Sequence, residues 1–129
     1  MKKKLTAKQI EKAKANRARL VALSNKIAAM DEDTRKAFAA KAAGVATIEG
    51  HELSPRNAMI VMLQKADATL VGGCRQWGKA GRRVRKGEKG LGIWVPTKAK
   101  IETAEGEEKE TTRFRVFSVF DVSQTEESH

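Results

Sequence analysis

The chemistry in this sequence is concentrated between residues 73 and 92. Residues 75–90 read RQWGKAGRRVRKGEKG and hold seven cations, Arg75, Lys79, Arg82, Arg83, Arg85, Lys86 and Lys89, against one acid, Glu88. Gly78, Gly81, Gly87, Gly90 and Gly92 thread the segment. Trp77 and Trp94 bracket it, in a chain with only two Trp, four Phe and no Tyr. Cationic side chains follow phosphates, small glycines such as Gly87 and Gly90 let backbone N–H groups approach them, and an aromatic face accepts any base. Together these are what a protein needs to hold a single nucleic-acid strand without reading its sequence. Trp77 is the candidate stacking face, and a core anchor is an equal reading of it. Trp94, Phe114, Phe117 and Phe120 read as core.

Other constellations fail on particular residues. Residues 73–79 give G-x-x-x-x-G-K, but position 80 is Ala where a phosphate-binding loop places a Mg²⁺-binding hydroxyl. KGLGIWV over 89–95 lacks the stacking aromatics of an RNA-binding strand, with Leu91 and Ile93 in their place. GEKG over 87–90 precedes a strand, whereas the similar loop of KH domains joins two helices. His51-Glu52 would need a second His at position 55, which is Pro55. Glu107-Glu108 reads as solvated loop charge, and Cys74 as an inert or buried thiol. One Cys and two His exclude an internal disulfide, a multi-cysteine zinc site and a three-histidine zinc site. No catalytic residue, cofactor or metal is therefore expected, and the chain is not expected to be an enzyme.

Charge gives the same direction. There are 26 Lys and Arg against 16 Asp and Glu, a formal net charge of +10 and a pI near 10.0 in a chain of 129 residues. That suits an anionic partner and excludes an acidic mimic of DNA. The longest apolar run, 58–63, is far shorter than the roughly 20 residues of a membrane span. Lys2, Lys3 and Lys4 are not followed by the apolar stretch of a secretion signal, so a cytoplasmic location in a host cell is expected.

The elements that must position these residues follow from periodicity and caps. Ile10, Ala13, Leu20, Leu23, Ile27 and Met30 share one face of a helix over 7–30. Asp31 and Asp33 are N-cap candidates for a second helix over 34–43. Residues 45–53 read as a loop. Ser54-Pro55 opens a third helix over 55–66, because serine caps and proline suits the first helical position. Residues 68–71 read as a short extended piece, 91–96 as a strand ended or edged by Pro96, 102–110 as a solvated hairpin loop, 111–122 as a strand and 125–129 as a frayed tail. Helices first and strands last give an α+β class, with N-terminal helices packed on a small antiparallel sheet.

With those residues in view, the chain resembles the N-terminal domain of the ArdC antirestriction family. The likeness lies in RARL over 17–20, SPRN over 54–57, ADAT over 66–69, VGG over 71–73, Trp77, GRRVRKGEKG over 81–90 and VFDVSQT over 119–125. It covers roughly residues 10–126 and implies one domain over 1–126, with 1–6 flexible and 127–129 a tail. The resemblance implies single-stranded DNA binding with little sequence preference and a phage or plasmid origin, in which such a protein shields entering DNA. Longer members carry a C-terminal zinc metallopeptidase-like domain, whose zinc motif and activity are not expected of these residues. The expected contacts are Arg82, Arg83, Arg85, Lys86 and Lys89 on phosphates, Arg75 and Lys79 at the edge, Gly87 and Gly90 at close backbone approach, and Trp77 on a base. Asn57 is either structural or a polar contact. RNA is a second candidate ligand, and a small interaction protein that binds and blocks a host protein is the alternative function.

Overall fold

A computed structural model describes residues 4–128, so Met1, Lys2, Lys3 and His129 lie outside the described residues. Three helices open the chain, each started by the side chain that local rules select. Thr6 begins α1 (Ala7–Ala28): its hydroxyl accepts from the Gln9 N–H at 3.1 Å, and the Gln9 amide accepts from the Thr6 N–H at 2.9 Å. Thr6, placed by the sequence in a flexible start over 1–6, is thus held by two hydrogen bonds, and residues 1–3 of that start lie outside the described residues. Asp31 begins α2 (Glu32–Ala42) by accepting from the Thr34 N–H at 2.7 Å, and that hydrogen bond holds its carboxyl below the ordinary 3.8. Ser54 begins α3 (Pro55–Gln64), with Pro55 in the first turn.

The strands are β1 (Ala46–Thr47), β2 (Leu70–Gly72), β3 (Arg82–Val84), β4 (Leu91–Glu102), β5 (Glu108–Asp121) and β6 (Thr125–Glu127), with a short helix α4 (Cys74–Lys79) between β2 and β3. The main sheet runs β1-β2-β5-β4. It is antiparallel except for the β1–β2 pair, and β3 and β6 form a second, two-stranded sheet. The α+β class holds. The expected loop over 45–53 contributes β1, and the expected frayed tail contributes β6. The tail is held because Arg82 faces Glu127 and Arg83 faces Glu126, opposite charges directly across an antiparallel ladder. The hairpin loop is shorter than its charge suggested: β4 runs on through Pro96 and pairs with β5 as far as Glu102 and Glu108.

α1 lies over the face of β4 and β5 that carries Gly92, Trp94 and Val116, burying Leu20 completely and Ile27 to 6% exposure. Ile10, expected on the same buried face, is 41% exposed. The opposite face packs Leu91, Ile93 and Val119 on Val61 and Val71. Gly92 marks the closest approach of α1 to the sheet: a Cβ there would lie 2.4 Å from Leu20 Cδ1. Gly92→Ala is expected to cost about 1–3 kcal/mol, read as a lower denaturant midpoint at unchanged slope.

β4 is an edge strand, and α3 closes half of its open side. The Asn57 amide donates to the Trp94 carbonyl at 2.8 Å and accepts from the Trp94 N–H at 2.9 Å. The Gln64 amide makes the same pair with Gly92, at 2.8 and 2.9 Å. Two residues on, Pro96 has no N–H to leave unpaired in that row. Exposed strand edges invite pairing with other chains, and these three residues remove that opportunity over residues 92–96. Asn57 is thus structural. Among the described residues no helix is long and apolar enough to cross a membrane.

Candidate nucleic-acid interface

The basic segment is not a loose loop. α4, β3 and a turn over 85–88 carry it, and the corner after β5 clamps it. In that turn the Glu88 N–H donates to the Arg85 carbonyl at 3.2 Å, and Gly87 has the positive φ of +88° that such a turn requires at its third position. The Gln124 amide donates to the Lys89 carbonyl at 2.8 Å and to the Glu88 carboxylate at 3.2 Å. The Arg85 N–H donates to the Gln124 carbonyl at 2.9 Å. Gly90 packs on β5, where a Cβ would meet Ser118 Cβ at 2.9 Å. Its smallness serves that contact.

This scaffold divides the predicted cations into two groups. Arg82 is half-buried and donates to the Thr125 hydroxyl at 2.7 Å and the Thr125 carbonyl at 3.1 Å. Arg83 pairs with Glu126 at 2.9 Å. Arg85 donates to the Ser123 carbonyl and lies 3.7 Å from Glu88. These three hold the fold. Arg75 and Lys79 on α4, and Lys86 and Lys89 about the turn, are exposed and make no ion pair among the described residues.

Trp77 is not a stacking face. It is 1% exposed, and its indole N–H donates to the Phe120 carbonyl at 2.9 Å, so a base reaches neither ring face. The short helix that carries it begins directly after Gly73, so residues 74–79 form no loop to wrap a phosphate. Cys74, expected inert or buried, is exposed. The reverse correction applies on β5: Phe114 is 53% and Phe117 42% exposed, although both read as core. Trp94 is half-buried.

Of the clefts beside α1 among the described residues, two exceed 600 Å³. One, of about 630 Å³, lies between Arg19 and Leu23 of α1, the end of α3 at Lys65, and the turn residues Gly87, Lys89 and Gly90. The other, of about 620 Å³, lies between α1, the start of α3 and the β4–β5 hairpin, with Trp94, Pro96 and Phe114 on its floor and Arg17 and Arg56 at its rim. The Arg17 guanidinium stands 5.1 Å over the Trp94 ring and donates to the Phe114 carbonyl at 2.9 Å. The first cleft contains three of the predicted site residues; the second contains none. Its signal was the alternation RFRVF over 113–117, arginine interleaved with aromatics on a strand.

A family model for the N-terminal domain of anti-restriction factor ArdC matches residues 14–122. The chain belongs to that family. Its fold is similar to the crystal structure of the metal-free antirestriction protein ArdC of plasmid R388, with a TM-score of 0.64 and 22% identity, over 85% of this chain and 42% of that one. The Mn(II)-bound structure of the same protein matches with a TM-score of 0.48 and 22% identity, over 70% of this chain and 37% of that one. The chain thus spans less than half the length of those ArdC chains. No curated protein gives a significant match. Within this ArdC-type domain the resembling motifs are largely fold-holding: SPRN caps α3 and clamps β4 through Asn57, and VFDVSQT builds the corner that fixes the basic turn. Among the described residues no three His, Cys, Asp or Glu side chains gather to hold a metal ion.

Proposed function

We propose that this ArdC-type domain binds single-stranded DNA with little sequence preference, as a non-enzymatic module of a phage or plasmid that protects entering DNA from host restriction in the cytoplasm. The observation that carries the reading is the set of exposed cations, Arg75, Lys79, Lys86 and Lys89, that have no acid partner among the described residues, with Arg19 across the cleft from the turn. A run of cations on a rigid turn follows a phosphate backbone and carries no base readout, which gives affinity without sequence preference. Membership of the ArdC N-terminal family, and the antirestriction name of the R388 protein, support the same role.

The test is a fluorescence-anisotropy titration of a mixed-sequence single strand of about 30 nucleotides against the same sequence as duplex, at two salt concentrations. Tighter binding to the single strand is expected, with tryptophan quenching. Equal, salt-driven binding to both would reduce the interaction to net charge and favour a host-protein partner. A ribonucleotide strand of the same sequence decides between DNA and RNA.

A further inference from the structure

The cleft between α1, the start of α3 and the β4–β5 hairpin is built for something planar. Its floor is aromatic and rigid. Trp94 is fixed by its indole N–H on Ser24 Oγ at 3.1 Å and by the two backbone bonds to Asn57. Arg17 is fixed over Trp94 and against the Phe114 carbonyl, and it lines the cleft. Phe114 presents a ring that is more than half exposed. The lining contains two arginines and no acid, and its volume of about 620 Å³ lies within the 300–1,000 Å³ of small-molecule sites. A neutral apolar partner would gain nothing from the arginines, and an acidic peptide would leave the ring faces unused. A nucleotide uses both: a base stacks on an aromatic ring or on a guanidinium plane, and its phosphates meet the cations.

We propose that this cleft seats one unstacked base of the bound strand, with Phe114 as its stacking face and Arg17 and Arg56 beside the flanking phosphates. The inference rests on the single-strand reading above and gives it a mechanism. Bases in a duplex are already stacked and paired, so an aromatic seat binds only a base that is free to leave the stack. The cations supply attraction to any polyanion, and the seat supplies the preference for a single strand.

The full chain is titrated with a dT₁₂ oligonucleotide and with an abasic oligomer of the same length, which keeps the phosphates and removes the bases. The wild type is expected to bind dT₁₂ about ten- to a hundredfold more tightly than the abasic strand, the range for stacking one base. The Trp94 emission should be quenched by dT₁₂ and not by the abasic strand. Phe114→Ala should erase most of that ratio with no change in the salt slope, and Phe114→Trp should restore it. Phe114 is exposed, and the folded state of each variant is checked by its melting profile. If the wild type separates the two strands and Phe114→Ala does so equally well, the cleft is not the seat, while the single-strand reading stands. If the wild type does not separate them at all, no base is seated and the inference fails, while the single-strand reading is decided separately by the duplex comparison.

Discussion

Replacing Lys86 and Lys89 together by Ala is expected to make DNA binding less sensitive to salt, and by a calculable amount. Each phosphate neutralised on a single strand releases counterions, so log K falls with log salt at about 0.7 per contact. Arg19, Arg75, Lys79, Lys86 and Lys89, with Arg17 and Arg56 beside the base seat, are seven contacts and give a slope near −4.9. Between 50 and 200 mM salt the wild type is then expected to lose affinity roughly a thousandfold. Removing two contacts leaves a slope near −3.5 and a loss of about a hundredfold over the same interval, measured by anisotropy with one labelled strand. The weakening should be the same for every base sequence, because these contacts read no base. An unchanged slope would take Lys86 and Lys89 out of the interface. Arg83→Ala is the control: its guanidinium is already paired with Glu126, so its removal should flatten the slope less than either lysine does.

The sequence showed these cations and did not show which of them were free. Charge counts treat Arg82, Arg83, Arg85, Lys86 and Lys89 alike. The difference between them is made by Thr125, Glu126 and Ser123, some forty residues on, and only the β3–β6 ladder brings those within reach. Local features were legible. Asp31 and Ser54 cap helices where cap chemistry predicts, and Pro55 sits in the first turn. These depend on neighbours three residues away. Trp77 was ambiguous because its neighbours are glycine and cations, and its fate is decided by a carbonyl at Phe120. Phe114 misled for a related reason. A β-branched and aromatic strand reads as buried, but on β5 only Val119 and Asp121 are, and Phe114 faces the open cleft beside α1.

One acid holds the corner on which the basic turn depends, and its loss is expected to destabilise the fold more than the loss of any exposed cation. Asp121 is 1% exposed, and its carboxylate accepts four hydrogen bonds: from the N–H groups of Thr69 at 2.8 Å and Leu70 at 3.2 Å, and from the Ser123 N–H at 3.0 Å and hydroxyl at 2.5 Å. It therefore ties the start of β2 to the turn after β5, while Gln124, bonded to the Asp121 N–H at 2.9 Å, ties that turn to Lys89. Burial pushes the Asp121 carboxyl up, but the hydrogen bonds from Ser123, Thr69 and Leu70 outweigh it and hold the group below the ordinary 3.8. A depressed carboxyl stabilises the folded chain above its unfolded pKa, and the contribution is lost as pH falls through its folded value. The wild type should therefore lose stability below about pH 4, and Asp121→Asn should lose part of that acid sensitivity. At neutral pH, Asp121→Ala strands donors that the carboxylate satisfied, at a cost of about 3 kcal/mol, or roughly 10 °C in Tm for a chain of this size. Asp121→Asn keeps one acceptor but turns its NH₂ toward a donor, and should fall between. Thermal melts at pH 7 and pH 3.5 measure both effects. A melt of Asp121→Ala that matches the wild type at neutral pH would mean that the corner does not depend on this carboxylate.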